Sequence, residues 1–184
     1  PSDHLSSQLI GGDEIGVTGL QNQGATCYLN SAIQLLFHIP FFRRLIYQME
    51  VKEIGSDQKS KEIALSLQRL FYEMQTSHSK ICSTSNLTKS FRMSREDLFL
   101  QHDVQEFLRL LFDNLDSQMK GTPLDNAIAK IFRGKTTTFV RAISVPSQSS
   151  RDETFDDLQL EVRGFSCLED SLKNFLKIER LTGN

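Results

Sequence analysis

The stretch Gly19-Leu20-Gln21-Asn22-Gln23-Gly24-Ala25-Thr26-Cys27-Tyr28-Leu29-Asn30-Ser31 is a polar, glycine-containing loop that runs straight into an amphipathic helix. The helical part continues through Ala32-Ile33-Gln34-Leu35-Leu36-Phe37-His38 and places Leu29, Ile33, Leu36 and Phe37 on one face. Thr26 is the expected N-cap, and Pro40 blocks continuation. A cysteine thus stands at the loop–helix junction. Unpaired N–H groups and the positive end of the helix dipole favour a thiolate there, which is the nucleophilic form of cysteine. Asn22 carries an amide that the loop can fold back toward the sulfur. Together with the Cys27 backbone N–H it would hold the oxygen charge of a tetrahedral intermediate. Gly24 supplies the freedom for a sharp approach. On spacing alone, however, a cysteine opening an apolar helix is more often a small buried hydrophobe.

Outward from that helix, Pro40 to about Gln48 reads as a second short helix, and charged Glu50–Lys61 with Gly55 as a loop. Ile63, Leu67, Leu70, Phe71 and Met74 recur at helical spacing from Glu62 to Gln75. Thr76–Thr88 reads as a loop leading to a turn around Leu87–Phe91. The strongest helix is Asp103–Lys120, capped by Asp103 and ended by Gly121 and Pro123, with Val104, Phe107, Leu108, Leu111 and Leu115 as its stripe. Beyond Pro123 the character changes. Thr136–Val145 is strand-like, Ser147–Glu153 a polar turn, and Leu158–Arg163 alternates apolar and polar residues as a half-buried strand does. Ser166-Cys167-Leu168-Glu169 has the form of a capping box ahead of an apolar face made by Leu168, Leu172, Phe175 and Leu176. Helices followed by two strands and a helix make an α+β chain. Two strands alone are marginal, so the sheet is expected to find partners outside these residues.

Composition bounds the function. The chain has 184 residues, 39% of them hydrophobic, with 21 Lys+Arg against 23 Asp+Glu. That size is enough for one domain with its own core. A net charge of −2 without a basic block argues against a nucleic-acid footprint. No apolar run reaches the roughly 18 residues of a membrane span. The start at Pro1, with neither initiator Met nor signal-peptide pattern, points to an internal fragment. Cys27, Cys82 and Cys167 are an odd, scattered set with no C-x-x-C pair. No disulfide framework, metal site or cofactor is expected, and reduced thiols fit a cytoplasmic or nuclear setting.

Gly24-Ala25-Thr26-Cys27-Tyr28-Leu29-Asn30-Ser31 resembles the cysteine box of the ubiquitin-specific proteases, papain-like thiol peptidases that remove ubiquitin. Gln101-His102-Asp103-Val104-Gln105-Glu106-Phe107 resembles that family's second block. Leu87–Phe91, Met119–Thr122 and Phe132–Lys135 are most similar to its herpesvirus-associated subgroup, and the likeness runs from about Gly16 to the end. His102 departs from the more frequent Gln, and Ala25 from the more usual Asn.

The resemblance implies a papain-like α+β fold: an N-terminal extension over 1–15, a helical thumb carrying the nucleophile over 16–122, and the start of a fingers/palm region over 123–184. It makes Cys27 the nucleophile and Asn22 the oxyanion donor. Asp103, Gln105 and Glu106 would bind ubiquitin's C-terminal tail, which is extended and basic before its glycines. Read from the helix alone, Asp103 is a plain N-cap and Glu106 a solvated side chain. The partners implied are ubiquitin and ubiquitinated proteins.

A thiol peptidase also needs a base oriented by a third group. The family's base lies in a Gly-His-Tyr box, which is absent here. His4, His38, His78 and His102 do not match it, and His38 is about 16 Å along the helix from Cys27 at 1.5 Å per residue. The remainder of the catalytic domain is therefore expected to be needed for activity. Two other readings stand beside the peptidase: a non-catalytic ubiquitin-binding or scaffold module, and a helical interaction domain whose cysteine is core.

Overall fold

The computed structural model describes residues 18–51, 57–77 and 79–180. They form two compact units divided between Ile131 and Phe132. His4, His78 and the 1–15 extension lie outside the described residues.

The first unit is helical because its apolar residues recur on single faces. Helix α1 (Cys27–His38) buries Leu29, Ala32, Ile33, Leu36 and Phe37. Pro40 has no N–H to continue that ladder but suits the first turn of the next helix, α2 (Pro40–Gln48), which buries Phe42, Leu45 and Ile46. Helix α3 (Gln58–Thr76) is a full turn longer at its start than the apolar pattern suggests. Asp57 accepts from Ser60 N at 3.3 Å and so caps the helix ahead of its first buried apolar residue. Its face of Ile63, Ala64, Leu67, Leu70, Phe71 and Met74 is the centre of the unit, packed against α2, α4 (Ser85–Ser90) and α5 (Val104–Met119). Phe71 meets Phe37 edge-on at 5.3 Å between ring centres. Burying a single Leu or Phe of this set stabilises the unit by about 1.5–3 kcal/mol.

In α5 the cap is Asp103, whose side chain accepts from Gln105 N at 2.8 Å, and Gly121 at φ +70° lies just past the end. Phe107, Leu111, Leu115 and Met119 are buried, whereas Val104 is exposed at the first turn. The 76–88 segment is not all loop. Within it Ile81–Cys82 form a strand, β2, that pairs in parallel with β1 (Gly19–Leu20), and α4 begins at Ser85. A two-residue ladder is too short to leave a periodic trace. It ties the segment before Cys27 to the one before α4. Asn30 Nδ2 donates to the carbonyls of Leu20 and Gln21, and Gln34 Nε2 donates to Thr18 O, so α1 grips the same segment from its polar side. The short helix α6 (Ala127–Phe132) ends at the division.

The second unit contains an antiparallel ribbon of β3 (Gly134–Arg141) and β4 (Gln148–Phe155), in register from Gly134 opposite Phe155 to Arg141 opposite Gln148. Here the expected elements shift. The first strand ends at Arg141, before Val145. The presumed polar turn Ser147–Glu153 is mostly β4 itself. Leu158–Arg163 is not a strand. The reason is common to all three: the ribbon is exposed on both faces, so cross-strand partners define it rather than burial. Lys135 Nζ meets Asp152 at 2.7 Å, Thr137 Oγ1 donates to Asp152 Oδ1 at 2.7 Å, and Arg133 forks onto Asp156 at 2.8 and 3.0 Å. Among the described residues the alternating Leu158–Arg163 stretch has no neighbouring strand, and Val162 is 80% exposed. Helix α7 (Leu168–Phe175) starts one residue later than the capping box implies, with Cys167 at the cap position and no side-chain cap bond. Ser171 Oγ donates instead to Glu161 O. Leu168, Phe175 and Leu176 are exposed.

Candidate active site

Cys27 is the first residue of α1 and its side chain is exposed. That excludes the core role its apolar neighbours suggest: Leu29 and Ile33 point inward, and Cys27 does not. The thiol stands at the positive end of the helix dipole.

The loop before it is built around Asn22 Oδ1, which accepts from Gly24 N at 3.2 Å, Thr26 N at 3.1 Å and Thr26 Oγ1 at 3.0 Å. Two of those donors are backbone N–H groups, which can only donate. The atom they meet must therefore be the carbonyl oxygen, and Nδ2 with its two protons is the end of the amide that the loop does not engage. Thr26 does not cap α1, contrary to expectation. Its side chain is fully buried and turned back into the loop, accepting from Gln23 N at 3.0 Å. With no side-chain cap on α1, the N–H groups of the first turn, that of Cys27 among them, keep no side-chain acceptor. The Cys27 N–H, at the first helical position, is one that an N-cap side chain does not engage, and it stands beside the thiol.

Gly24 has φ +131°, and a Cβ there would sit 2.7 Å from Leu98 O and 2.9 Å from Phe99 Cδ1. Ala25 N donates to that same Leu98 O at 2.6 Å. The Asp97–Phe99 turn thus closes the loop from outside.

Tyr28 joins the two sequence blocks. Its ring lies 5.7 Å from that of His102 and meets Phe107 edge-on at 6.0 Å, so the start of α5 lies beside the start of α1. Burial, then the negative charges of Asp97 and Cys27, push the Tyr28 hydroxyl above its ordinary range and keep it protonated. Asp97 is held below the usual carboxylate range by the Ser94 backbone N–H and hydroxyl, with a smaller contribution from His102.

In the second block Asp103 is the α5 cap, as the helix alone suggests; Asp103 and Glu106 are exposed and Gln105 is half-buried. Among the described residues no hydrogen bond joins a histidine to Cys27. His38 is exposed at the far end of α1 and bonds Gln34 O through Nδ1 at 2.9 Å, while His102 Nε2 is buried without a partner. Nor do the described residues hold a cluster of three metal-ligating side chains; Cys82 is buried and Cys167 exposed. A concavity lined by Tyr47, Gln68, Arg69, Tyr72 and Glu73 does not include Cys27, which sits on an open face.

The residues that periodicity does not reveal are those that brace the loop. Gln23 hydrogen-bonds Thr84 and Thr88 across a gap of some sixty positions in the chain. Gln23 sits inside the quoted stretch, but nothing in its spacing names its partners.

Comparison with known proteins supplies the remaining finding. Residues 18–173 match the sequence profile of the ubiquitin carboxyl-terminal hydrolases. The chain is similar to ubiquitin carboxyl-terminal hydrolase 15 of Schizosaccharomyces pombe, at 44% identity over 93% of the chain and 15% of that protein. It is 43% identical to ubiquitin C-terminal hydrolase 13 of Arabidopsis thaliana, again over 93% of the chain and 15% of the relative. Against ubiquitin carboxyl-terminal hydrolase 7 of Caenorhabditis elegans it is 42% identical over 90% of the chain and 14% of the relative. The chain spans between 13% and 15% of the length of the curated relatives it matches.

Proposed function

The chain belongs to the ubiquitin carboxyl-terminal hydrolase family, which has a papain-like cysteine protease fold, and from that premise we propose that it carries the nucleophile of a larger deubiquitinase. In this reading the Cys27 thiolate attacks the carbonyl carbon of ubiquitin's C-terminal glycine. The carbonyl oxygen takes up negative charge between the Cys27 N–H and Asn22 Nδ2. Collapse of the tetrahedral intermediate breaks the bond to the substrate amine, which takes a proton from the protonated base, and leaves a thioester on Cys27. Water then hydrolyses that thioester with the base accepting its proton. The base, a histidine with its Asp or Asn partner, comes from the remainder of the domain. Asp103, Gln105 and Glu106 receive the basic tail. Residues 16–122 act as the thumb and 123–184 open the fingers and palm. Kinship with the herpesvirus-associated subgroup rests on Leu87–Phe91, Met119–Thr122 and Phe132–Lys135. A reducing compartment, cytoplasm or nucleus, suits the free thiol.

The observation that carries this reading is the exposed sulfur on an uncapped helix start, preceded by an amide whose carbonyl end is tied down. Treating the whole protein with ubiquitin bearing a C-terminal electrophile tests it. The expected result is a covalent adduct at Cys27, lost in Cys27→Ala along with all turnover. Asn22→Ala is expected to lower kcat by about 10²–10³-fold. Binding of the probe without an adduct identifies a passive ubiquitin-binding module instead. Undiminished turnover by a folded Asn22→Ala protein removes the oxyanion role.

A further inference from the structure

Gln23 takes no part in the chemistry above, yet its side chain is tethered at both ends. Nε2 donates to Thr84 Oγ1 at 2.7 Å, and Oε1 accepts from Thr88 Oγ1 at 3.3 Å and Ser85 Oγ at 3.4 Å. Thr84 and Thr88 are 0% and 3% exposed, so the hydroxyl that accepts from Gln23 and the one that donates to it are themselves fixed by packing, Thr88 Oγ1 sharing its proton between Gln23 Oε1 and Ser85 O. The backbone N–H of Gln23 donates to Thr26 Oγ1, and that hydroxyl gives its single proton to Asn22 Oδ1. A chain of hydrogen bonds therefore joins the α4 region to Gln23 and, from the Gln23 backbone N–H onward, is directed through Thr26 to the carbonyl end of Asn22.

The direction of that chain matters. A side-chain amide is nearly symmetric in shape, and a half-turn exchanges its carbonyl and NH2 ends. Flipped, Asn22 would set its own protons against Gly24 N–H, Thr26 N–H and the Thr26 hydroxyl, and would offer an oxygen lone pair where a developing oxyanion needs a donor. The backbone donors resist the flip only while the loop keeps its shape. Gln23 is the side chain that pins that loop to the thumb's buried threonines.

We propose that Gln23, clamped by Thr84 and Thr88, is a positioning residue for the reaction: it holds the 21–26 loop so that Asn22 Nδ2 remains turned toward the reacting carbonyl. This rests on the deubiquitinase reading and deepens it. Because Gln23 acts through Asn22, its loss belongs to kcat rather than to ubiquitin binding, and it has no effect once Asn22 is gone.

The test uses the whole protein and ubiquitin carrying a C-terminal fluorogenic amide, with Gln23→Leu, Thr88→Val and Thr88→Ser compared in Asn22 and Asn22→Ala backgrounds. Alkylation of Cys27 by iodoacetamide, a displacement that forms no oxyanion, is measured in parallel. Misplacement of a reacting group by about 1 Å costs up to about 100-fold, and a loosened loop is expected to cost about tenfold in kcat for Gln23→Leu and Thr88→Val. KM and the alkylation rate are expected to stay within about twofold, and Thr88→Ser to restore kcat. In the Asn22→Ala background neither variant lowers kcat further. Losses that add to Asn22→Ala, an equal loss in alkylation, or unchanged kcat in both variants overturn the inference and leave the deubiquitinase reading standing. Should Gln23→Leu fail to fold, Thr88→Val decides alone. Absence of turnover in the unaltered protein overturns the deubiquitinase reading and this inference with it.

Discussion

The helical unit and the ribbon-containing unit solve the same problem in opposite ways. In the first, Phe37, Phe42, Phe71, Leu67 and Leu111 are almost wholly withdrawn from water, and each helix is held by the faces of its neighbours. In the second, the side chain of Ser171 alone among the described residues is buried, and Val140, Ile143, Val162 and Ile178 lie open. There the ribbon is held by its backbone ladder and by exposed pairs such as Arg133 with Asp156, each worth at most about 1 kcal/mol. The lesson is where a functional group can be trusted to stay. Cys27, Asn22 and Gln23 belong to the unit with a core, and their geometry is a consequence of that core.

The sharpest way to break this contrast is to remove one apolar side chain from each unit. Leu111→Ala, at a position with no exposure, is expected to cost about 2–5 kcal/mol of stability in chemical denaturation. Val140→Ala, 60% exposed, is expected to fall within about 0.5 kcal/mol of the parent. Comparable costs at the two positions would mean that the second unit's apolar surface is covered in solution.

A smaller effect is expected where the loop leans on the Asp97–Phe99 turn. Gly24→Ala must accept both a left-handed backbone and contact with Leu98 O, strain of about 1–3 kcal/mol. The expected readout is a lowered kcat with little change in KM, because the loop moves while the face proposed to receive the tail does not. Unchanged kcat would detach the loop's shape from the chemistry.

The smallest effect concerns acid. The Arg133 guanidinium holds the Asp156 carboxyl below its usual range, and Lys135 followed by Thr137 does the same for Asp152. The folded carboxyls thus titrate below the unfolded ones, so the unfolded state binds more protons and stability rises with pH through that window. The contribution is present above about pH 3.9 and is lost as pH falls through the folded values. The protection of β3 and β4 amides, taken relative to the intrinsic exchange rate at each pH, is expected to fall on acidification below that point. An Arg133→Gln variant that keeps the full acid response would remove Arg133 as its cause.

Much of the helical unit is legible in the residues themselves. Leu29, Ile33, Leu36 and Phe37 recur at the spacing of a helix face, Asp103 is an ordinary cap, and Pro40 and Gly121 are ordinary boundaries, whereas Asp57 caps a helix start that falls in a charged stretch read as loop. Thr26 is the instructive failure. It occupies the position and has the chemistry of a cap, but its oxygen accepts from Gln23 N and its proton goes to Asn22 Oδ1, and local competition of this kind leaves no mark in periodicity. The ribbon is the larger failure. Gln148–Phe155 carries a Ser-Ser-Arg-Asp-Glu-Thr run that no burial pattern would pick out, whereas Leu158–Arg163 alternates well and joins no strand ladder among the described residues.

Identity and order of residues were enough to place a cysteine at the junction of a polar loop and a helix, to match it with a second block downstream, and to outline the helices, because those features are local: they depend on neighbours within a few positions. Which way Asn22 turns, whether Cys27 faces water or the core, and what Gln23 grips were settled only when segments distant in the chain met. Hydrogen bonds are directional, and the groups that accept from Gln23, donate to it and oppose Gly24 arrive from Thr84, Thr88 and Leu98 respectively, whose positions the packing of α3, α4 and α5 determines.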